Sequence, residues 1–467
     1  MHMTTYLYGA PASGKTTLAR RLASCTGAKH VDLDEAIVAR AGMSIPEIFD
    51  SRGEDSFRDL ESETLEREIS AAGMREGETV ISLGGGTLLR ETNRGMAEKS
   101  GDVICLDAPG EEELAKRIGS AAGSRPLGDK AKERATHYAS FNRRVATSFN
   151  AGDSLVVVGS GIADVFIDGE RIVADGRVAS LHPGMAKNPV AIVPPGEENK
   201  TPATVAALWS AFAAAGIGRK NRIAALGGGV TGDLAGFAAA TWMRGIDWIN
   251  FPTTLLSMVD ASTGGKTGCD LPEGKNLAGA FHAPKLVVID TDFLATLDRR
   301  NISAGRAEMI KHEIIGGIRH CDSEIPTAAD IAANLKVKVD IVSEDPFERT
   351  GRRALLNCGH TVAHAVEKAT GYSVSHGEAV AIGCVEEARL AEREGLARPG
   401  WADSLADRFA KAGLPTALPA GMALETIAPL MRGDKKRDGS AVDFALPCGD
   451  GDVRLVRFDL SQGIRRI

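Results

Sequence analysis

Short apolar runs alternate with longer stretches of helical character along most of the chain. Residues 3–10 form an apolar, aromatic run ending at Gly9, and residues 17–23 follow with helical character. Further runs occupy residues 31–34, where two acids stand at the strand end, 79–83, which stops at Gly84-Gly85-Gly86, and 103–106. This alternation predicts a parallel sheet wrapped by helices on both faces. The rhythm breaks at residues 150–153 and restarts at 155–158, 171–175, 190–193 and 222–226, the last running into Gly227-Gly228-Gly229. From Ser303 onward the pattern is mostly helical, with a last β-like stretch at 442–446. The expectation is an α/β protein of three domains: a parallel-sheet domain over 1–150, a second α/β domain over 154–300 and a mostly helical domain over 301–467.

Composition narrows the setting. A chain of 467 residues exceeds one ordinary core. Hydrophobic residues at 43% and charged residues at 25% are an ordinary globular mix, and a net charge of −7 offers no basic footprint for nucleic acid. Seven cysteines include no C-x-x-C pair, which fits reduced thiols rather than a disulfide framework. No apolar run approaches the roughly 18–20 residues of a membrane span, and the first strand leaves no room for a signal peptide. A cytoplasmic enzyme acting on small molecules, with no nucleic-acid or membrane partner, is expected.

The first chemical signal is Gly9-Ala10-Pro11-Ala12-Ser13-Gly14-Lys15-Thr16, a G-x-x-x-x-G-K-[ST] loop between strand and helix. Backbone N–H groups from Gly9 through Ser13 and Gly14 to Thr17 surround phosphates at a helix start. Lys15 adds a charge at the β/γ oxygens, and the Thr16 hydroxyl reaches Mg2+. Asp32 and Asp34 sit where open α/β sheets bind ligands; one can order the metal's waters and the other accept a hydroxyl proton. Arg58, Arg125 and Arg134, with Gly84, Gly85 and Gly86, suit a small carboxylated polyol, because arginine grips carboxylates with two bonds.

Residues 1–150 resemble shikimate kinase through the D-x-D acids, the Phe57-Arg58 pair, the G-G-G loop, Arg125-Pro126-Leu127 and Arg134 before Tyr138. The resemblance implies ATP with Mg2+ as cofactor and Asp32 with Thr16 at the metal. It places shikimate on Asp34, Arg58, Gly84, Gly85, Gly86 and Arg134. Arg125 becomes a lid arginine and Arg117 an adenine-stacking one.

The later part of the chain carries a different set. Gly227-Gly228-Gly229-Val230-Thr231-Gly232-Asp233 follows a strand, as a pyrophosphate cradle would, though a tight structural turn reads the same way. His360 and His364 are four apart, on one helical face; Glu308 and His376 lie in separate segments. One carboxylate and two imidazoles leave a coordination position open for substrate, as catalytic zinc sites do. Lys266 and Lys275 are set among glycines, which scattered surface lysines would not require.

The order GGGVTGD, PTTLL, VDASTGGK, GKN, AGRAE, NCGHT and HGEAV resembles 3-dehydroquinate synthase over about residues 154–467. The resemblance implies a metal (Zn2+ or Co2+) on Glu308, His360 and His376. It implies NAD+ among Asp175, Glu197, Lys200, Gly229, Val230, Thr231, Gly232, Asp233, Thr253, Thr254, Lys266, Lys275, Phe293, Leu294, Ala295 and Thr296. Substrate would meet Arg244, Asp260, Asn276, Arg353, Asn357 and Lys435, with Lys266, Lys311, Lys338 and His364 as catalytic groups. It also suggests a homodimer through this half. The implied reaction is a temporary oxidation by NAD+, phosphate elimination, return of the hydride and ring closure.

Several departures accompany the match: Ala363 before His364, Cys269-Asp270, a short segment between Gly161 and Arg171, and one residue inserted within 346–350. None removes a metal ligand. A gluconate-type kinase joined to a related sugar-phosphate cyclase or a metal-dependent polyol dehydrogenase is the rival enzyme pairing. The three arginines favour a carboxylated acceptor, and the phosphate-directed lysines argue against a simple dehydrogenase. A degenerate half is the remaining alternative, opposed by the retention of Lys15, Asp34, Glu308, His360 and His376.

Overall fold

The computed structural model describes residues 4–108, 110, 133–319, 323–431, 441–461 and 463–467. Arg117, Arg125 and Lys435 lie outside the described residues. The chain divides into two compact units: Met1–Asn150, Leu155–Gly169 and Val288–Thr291 in one, and Ala151–Ser154, Glu170–Val287 and Asp292–Ile467 in the other.

The first unit opens with β1 (Thr4–Gly9), α1 (Lys15–Thr26), β2 (Lys29–Asp32), α2 (Leu33–Ala41) and α3 (Ile45–Met74). It continues through β3 (Thr79–Ser82), α4 (Glu91–Ser100), β4 (Asp102–Leu106), α5 (Ala135–Ala139) and β5 (Arg144–Ala151). These strands pair in parallel in the order β2-β3-β1-β4-β5. Central strands β1 and β3 are buried along nearly their whole length, which explains their unbroken apolar runs. Tyr6, Tyr8 and Ile81 pack with Leu33, Phe57 and Leu65 as the core.

Two expectations for this unit change. The second strand ends at Asp32, and Asp34 lies in the first turn of α2. The Asp32 side chain accepts the Glu35 N–H at 3.2 Å and so starts the helix earlier, with acids favourable at its positive end. The break at 150–153 is a turn at Gly152–Asp153, after which β6 (Ser154–Ser160) begins. The α6 helix (Ala163–Ile167) follows, and the buried Asp290 carboxylate accepts N–H groups of Gly161, Ile162 and Ala163 at 3.0, 2.7 and 2.8 Å.

The second unit holds β7 (Ile172–Asp175), α7 (Gly176–Leu181), β8 (Ala191–Val193), α8 (Pro202–Ala214), β9 (Arg222–Gly227), α9 (Gly229–Thr241) and β10 (Asp247–Pro252). An antiparallel pair, β11 (Lys266–Leu271) and β12 (Gly274–Phe281), precedes β13 (Leu286–Asp290), of which Leu286 and Val287 belong to this unit. Parallel pairing runs in the order β13-β10-β9-β7-β8. The sequence pattern missed β10 to β13. Lys266 and Lys275, set among glycines in the sequence, stand on the β11–β12 hairpin.

Helices follow: α10 (Arg299–Gly316), α11 (Ala328–Glu344), α12 (His360–Ala369), α13 (His376–Arg393), α14 (Trp401–Lys411) and α15 (Leu424–Met431). Asp298 caps α10, and a Thr327–Asp330 capping box starts α11. Val362, Val366, Ile382, Val385, Trp401, Phe409 and Phe444 form the core between them. The expected β-like stretch is longer and partnered: β14 (Ala441–Gly449), β15 (Asp452–Asp459) and β16 (Arg465–Arg466) pair in antiparallel fashion. Exposed Arg454 and Arg457, on opposite faces, interrupt the apolar alternation of β15 and hid it. Among the described residues no helix is long and apolar enough to cross a membrane.

Asp290→Ala should cost roughly 2–3 kcal/mol of unfolding free energy, because it strands three N–H groups near a buried site. A lowered denaturant midpoint would register that loss; an unchanged one would show that these bonds contribute nothing net.

Candidate active sites

In the first unit the phosphate loop connects β1 to α1, and Gly14 caps the helix in the left-handed region without a side-chain bond. The helix N–H groups are therefore open to an anion. Lys15 is buried and donates to the Gly9 and Ala10 carbonyls at 3.0 and 2.8 Å, folded back on its own loop. Burial pushes its ammonium down to about 8, against the pull of Asp34 and Asp32. Ser13 Oγ is buried without a hydrogen-bond partner, as a phosphate ligand would be in the free enzyme. Asp32 Oδ2 accepts from Thr16 Oγ1 at 2.8 Å and Ser82 Oγ at 3.0 Å, a ready-made shell for Mg2+.

The acceptor end is equally specific. A Cβ at Gly86 would lie 2.8 and 2.9 Å from the Arg58 guanidinium nitrogens and 3.1 Å from Arg134 Nη1. Two arginines thus converge on one bare backbone position, the geometry a carboxylate needs. Arg58 is held by Glu61 at 2.6 Å, and Glu61 is fixed by Thr87 Oγ1 at 2.7 Å. Arg134 and Tyr138 both donate to the Gly85 carbonyl, at 3.2 and 2.7 Å. Asp34 Oδ1 stands 3.1 Å from where a Cβ on Gly84 would be. Glu61 and Thr87 were not anticipated; Glu61 falls one helical turn after Arg58, a spacing that could have suggested it.

The second unit encloses a cavity of about 1050 Å³. One end is built by strand ends and a helix start: Asp175 closes β7, and Gly229 to Asp233 open α9. Lys200 pairs with Asp233 at 2.7 Å and with Asn276 Oδ1 at 2.6 Å. The Thr231 and Thr253 hydroxyls are buried without hydrogen-bond partners, so the lining has polar atoms to offer a dinucleotide.

The other end carries the metal donors. One atom each from Glu308, His360 and His376 lie within 4.8 Å of one another. Glu308 has no solvent exposure, and its Oε1 stands 3.6 Å from His360 Nε2 and 3.3 Å from His376 Nε2. Both its oxygens are ion-paired, with Lys311 on the other side, yet neither makes a hydrogen bond of normal geometry. A cation would complete that set. His360 Nδ1 is 3.1 Å from the Cys358 carbonyl, which assigns the proton there and leaves Nε2 as the ligand atom.

Charge explains the protonation pattern. Burial opposes the Glu308 anion, but Lys311 holds its pKa far below the usual carboxylate range. Burial and then Lys311 push His360 down to about 3, so it is a neutral donor. Burial also disfavours charged His376, but Glu308 and Glu367 outweigh it and raise it to about 10. Asp260, despite burial, is held well below its usual range by Lys338, Lys311 and His312. Lys338 reaches Asp260 Oδ1 at 2.8 Å and its carbonyl at 2.6 Å.

The cavity brings together most residues named from sequence: Asp175, Glu197, Lys200, Thr254, Lys266, Lys275, Asn276, Phe293, Thr296, Lys311, Lys338, Arg353, Asn357 and His364 among them. Gly232, Arg244, Leu294, Ala295 and the fully buried Glu308 do not line it. Arg244 sits on a short turn beside Met243, both at positive φ, and Leu294 is core. Residues missed from sequence include Glu348, paired with Lys266 and Arg353, and Glu367, 3.4 Å from Lys275 and 3.7 Å from His376 Nδ1. Glu367 follows His360 and His364 on the same helical face, a legible signal; Glu348 lies in an irregular loop at φ 55 and gave none.

A phosphate loop facing paired arginines defines the first unit as a phosphotransferase, and a strand-end cradle beside a carboxylate–imidazole cluster defines the second as a dinucleotide- and metal-dependent enzyme. Residues 11–157 match the family model for shikimate kinase, residues 190–304 that for the 3-dehydroquinate synthase N-terminal region and residues 305–437 that for its C-terminal region. The 3-dehydroquinate synthase of Symbiobacterium thermophilum is 40% identical over 304 residues, covering 60% of this chain and 85% of the relative. A solved 2-deoxy-scyllo-inosose synthase, complexed with carbaglucose-6-phosphate, NAD+ and Co2+, is 25% identical with a TM-score of 0.59, covering 69% of this chain and 96% of that one. The 2-epi-5-epi-valiolone synthase of Streptomyces hygroscopicus, with NAD+ and Zn2+ bound, is 26% identical with a TM-score of 0.57, covering 67% and 94%. The chain belongs to the 3-dehydroquinate synthase family and carries a shikimate kinase domain ahead of that region.

Gly86→Ala should raise KM for a carboxylated acceptor about tenfold or more, since the new methyl displaces both guanidinium groups. ATP affinity and the activity of the second unit should stay unchanged. Steady-state kinetics on both reactions checks this, and an unaltered acceptor KM would remove Gly86 from the binding floor.

Proposed function

We propose that the chain performs two steps of one biosynthetic route, that to chorismate and the aromatic amino acids. The first unit phosphorylates shikimate with MgATP to shikimate 3-phosphate. The second converts 3-deoxy-arabino-heptulosonate 7-phosphate into 3-dehydroquinate and phosphate. The observation that carries this reading is the cavity in which an orphaned-hydroxyl cradle, His360, His376 and several cations face one space, with Glu308 buried within reach of both imidazoles. Residues 1–150 would act as the kinase domain, 154–300 as the NAD-binding domain and 301–467 as the metal- and substrate-binding domain. A homodimer through the synthase half and a cytoplasmic setting complete the reading.

In the kinase, Arg58 and Arg134 hold the substrate carboxylate, and Asp34 receives the proton of the attacking hydroxyl. Lys15, released from its loop carbonyls, neutralises charge on the transferring phosphoryl. In the synthase, NAD+ would supply a reversible oxidation, and Glu308, His360 and His376 would hold a divalent ion able to polarise the oxygen concerned. Lys266, Lys275 and Arg353 grip phosphate and carboxylate; Lys311 and Lys338 stabilise enolate charge after proton loss. His364, whose ring lies 5.5 Å from that of His360 between centroids and which lines the cavity, would move that proton. The ring carbon loses its proton, the C–O bond to phosphate breaks, and phosphate leaves with the electron pair.

Lys15→Ala should lower shikimate-dependent ADP formation roughly 100- to 1000-fold and leave phosphate release from the heptulosonate phosphate intact; His360→Ala should do the reverse. NADH should not accumulate during turnover. Accumulating NADH would favour a polyol dehydrogenase, and gluconate outperforming shikimate would reassign the acceptor.

A further inference from the structure

Glu387 stands on α13, about three helical turns beyond His376, and neither reaction uses it. Its side chain is fully buried. Oε2 accepts the Gly359 N–H at 2.8 Å, and Oε1 accepts the Val362 N–H at 3.2 Å. These groups open α12, whose N-cap Gly359 supplies no side-chain bond. A helix start has unpaired N–H groups, so a carboxyl group accepting through both oxygens is well matched to it, even though burial pushes the Glu387 carboxyl up to about 8. The other caps near the cluster are local: Asp298 accepts the Asn301 N–H at 3.0 Å and Thr327 the Asp330 N–H at 3.2 Å. The cap of α12 comes instead from a neighbouring helix.

Close packing shows how firmly the two helices are joined. Gly359 has φ +78, and a Cβ there would lie 2.4 Å from Cys384 Sγ on α13. A Cβ at Gly383 would lie 2.0 Å from the Gly359 carbonyl. The turn held in this way also presents the Cys358 carbonyl to His360 Nδ1. One carboxylate therefore ties the helix that begins with His376 to the turn that orients His360.

We infer that Glu387 is a positioning residue of the metal centre, setting the orientation of His360 relative to His376 by capping α12 from α13. It touches neither ion nor substrate. The inference rests on the metal-binding reading of Glu308, His360 and His376. That reading is tested separately by stoichiometric Co2+ binding to the unaltered chain and its loss in His376→Ala.

The probe is Co2+ added to the full, metal-stripped chain, followed by visible absorption. Glu387→Gln keeps the volume but offers one acceptor oxygen where two N–H groups need partners. Its affinity for Co2+ should fall roughly 10- to 100-fold. At saturating Co2+ its ligand-field band should still differ from that of the unaltered chain, and synthase kcat should fall while kinase kcat and KM hold. Glu387→Asp, one methylene short, should shift the band in the same direction by less. A merely structural role would weaken stability but leave the saturated spectrum and kcat unaltered, and that result would overturn the inference. Should Glu387→Gln fail to fold, an unaltered saturated spectrum in Glu387→Asp would do the same.

Discussion

The synthase unit is organised around a carboxylate that must stay charged where water cannot reach it. Glu308 has no solvent exposure, and an isolated anion there would take up a proton instead. Lys311, one helical turn further along α10, prevents that. Lys311 is itself buried, so a second acid, Asp260, lies near it, and Lys338 in turn lies on Asp260. The chain of alternating charges explains why lysines from α10 and α11 enter the same cavity. It also explains the split between the two ligand histidines. His360 meets Lys311 and stays neutral; His376 lies between Glu308 and Glu367 and holds a proton that a divalent ion must displace.

The kinase unit solves anion binding differently. Its phosphate site is mostly backbone, and the buried Lys15 waits on the carbonyls of its own loop. Its carboxylate site is mostly side chain, with Arg58 braced by Glu61 and Arg134 anchored on Gly85. The synthase unit divides its labour along similar lines. In the proposed reading strand ends and the start of α9 would make the dinucleotide cradle, whereas charged groups borne on helices would hold the ion and the reacting substrate. Helices suit that second task because i, i+3 and i+4 spacings aim several side chains at one point.

Motifs whose chemistry depends on local spacing are legible in the amino-acid sequence itself. The phosphate loop, the D-x-D acids, the His360–His364 spacing and the strand–helix alternation all fall in this class. What stays hidden there depends on contacts between distant segments. Glu387 reads as one acid in an acidic stretch of α13 until α12 is seen packed against it. His312 follows Lys311 directly, yet its role shows only through Asn334 at 3.0 Å and Asp260 at 3.6 Å. Strands β11 and β12 escape the pattern because their glycines and lysines carry no apolar alternation; pairing, not propensity, makes them strands. Arg244, named through the family resemblance, stands in a turn with Met243 at positive φ and does not line the cavity.

The departures from the family pattern are absorbed where they occur. Asp270 accepts the Asn276 N–H at 2.7 Å, which steadies a residue at φ 55 while Lys200 holds its side chain. Within the 346–350 segment, Asp345 accepts N–H groups of Arg349 and Thr350 at 2.7 and 3.2 Å, and the loop delivers Glu348 to Lys266 and Arg353. Ala363 is fully buried in the core beside Val362 and Val366, and the missing side chain of Gly383 leaves it room. The first two changes touch groups that hold cofactor or substrate, and the third touches helix packing. None meets Glu308 or Lys311. Their consequences therefore belong to substrate and dinucleotide affinity, while the charge arrangement that binds the ion is carried by residues the departures leave untouched.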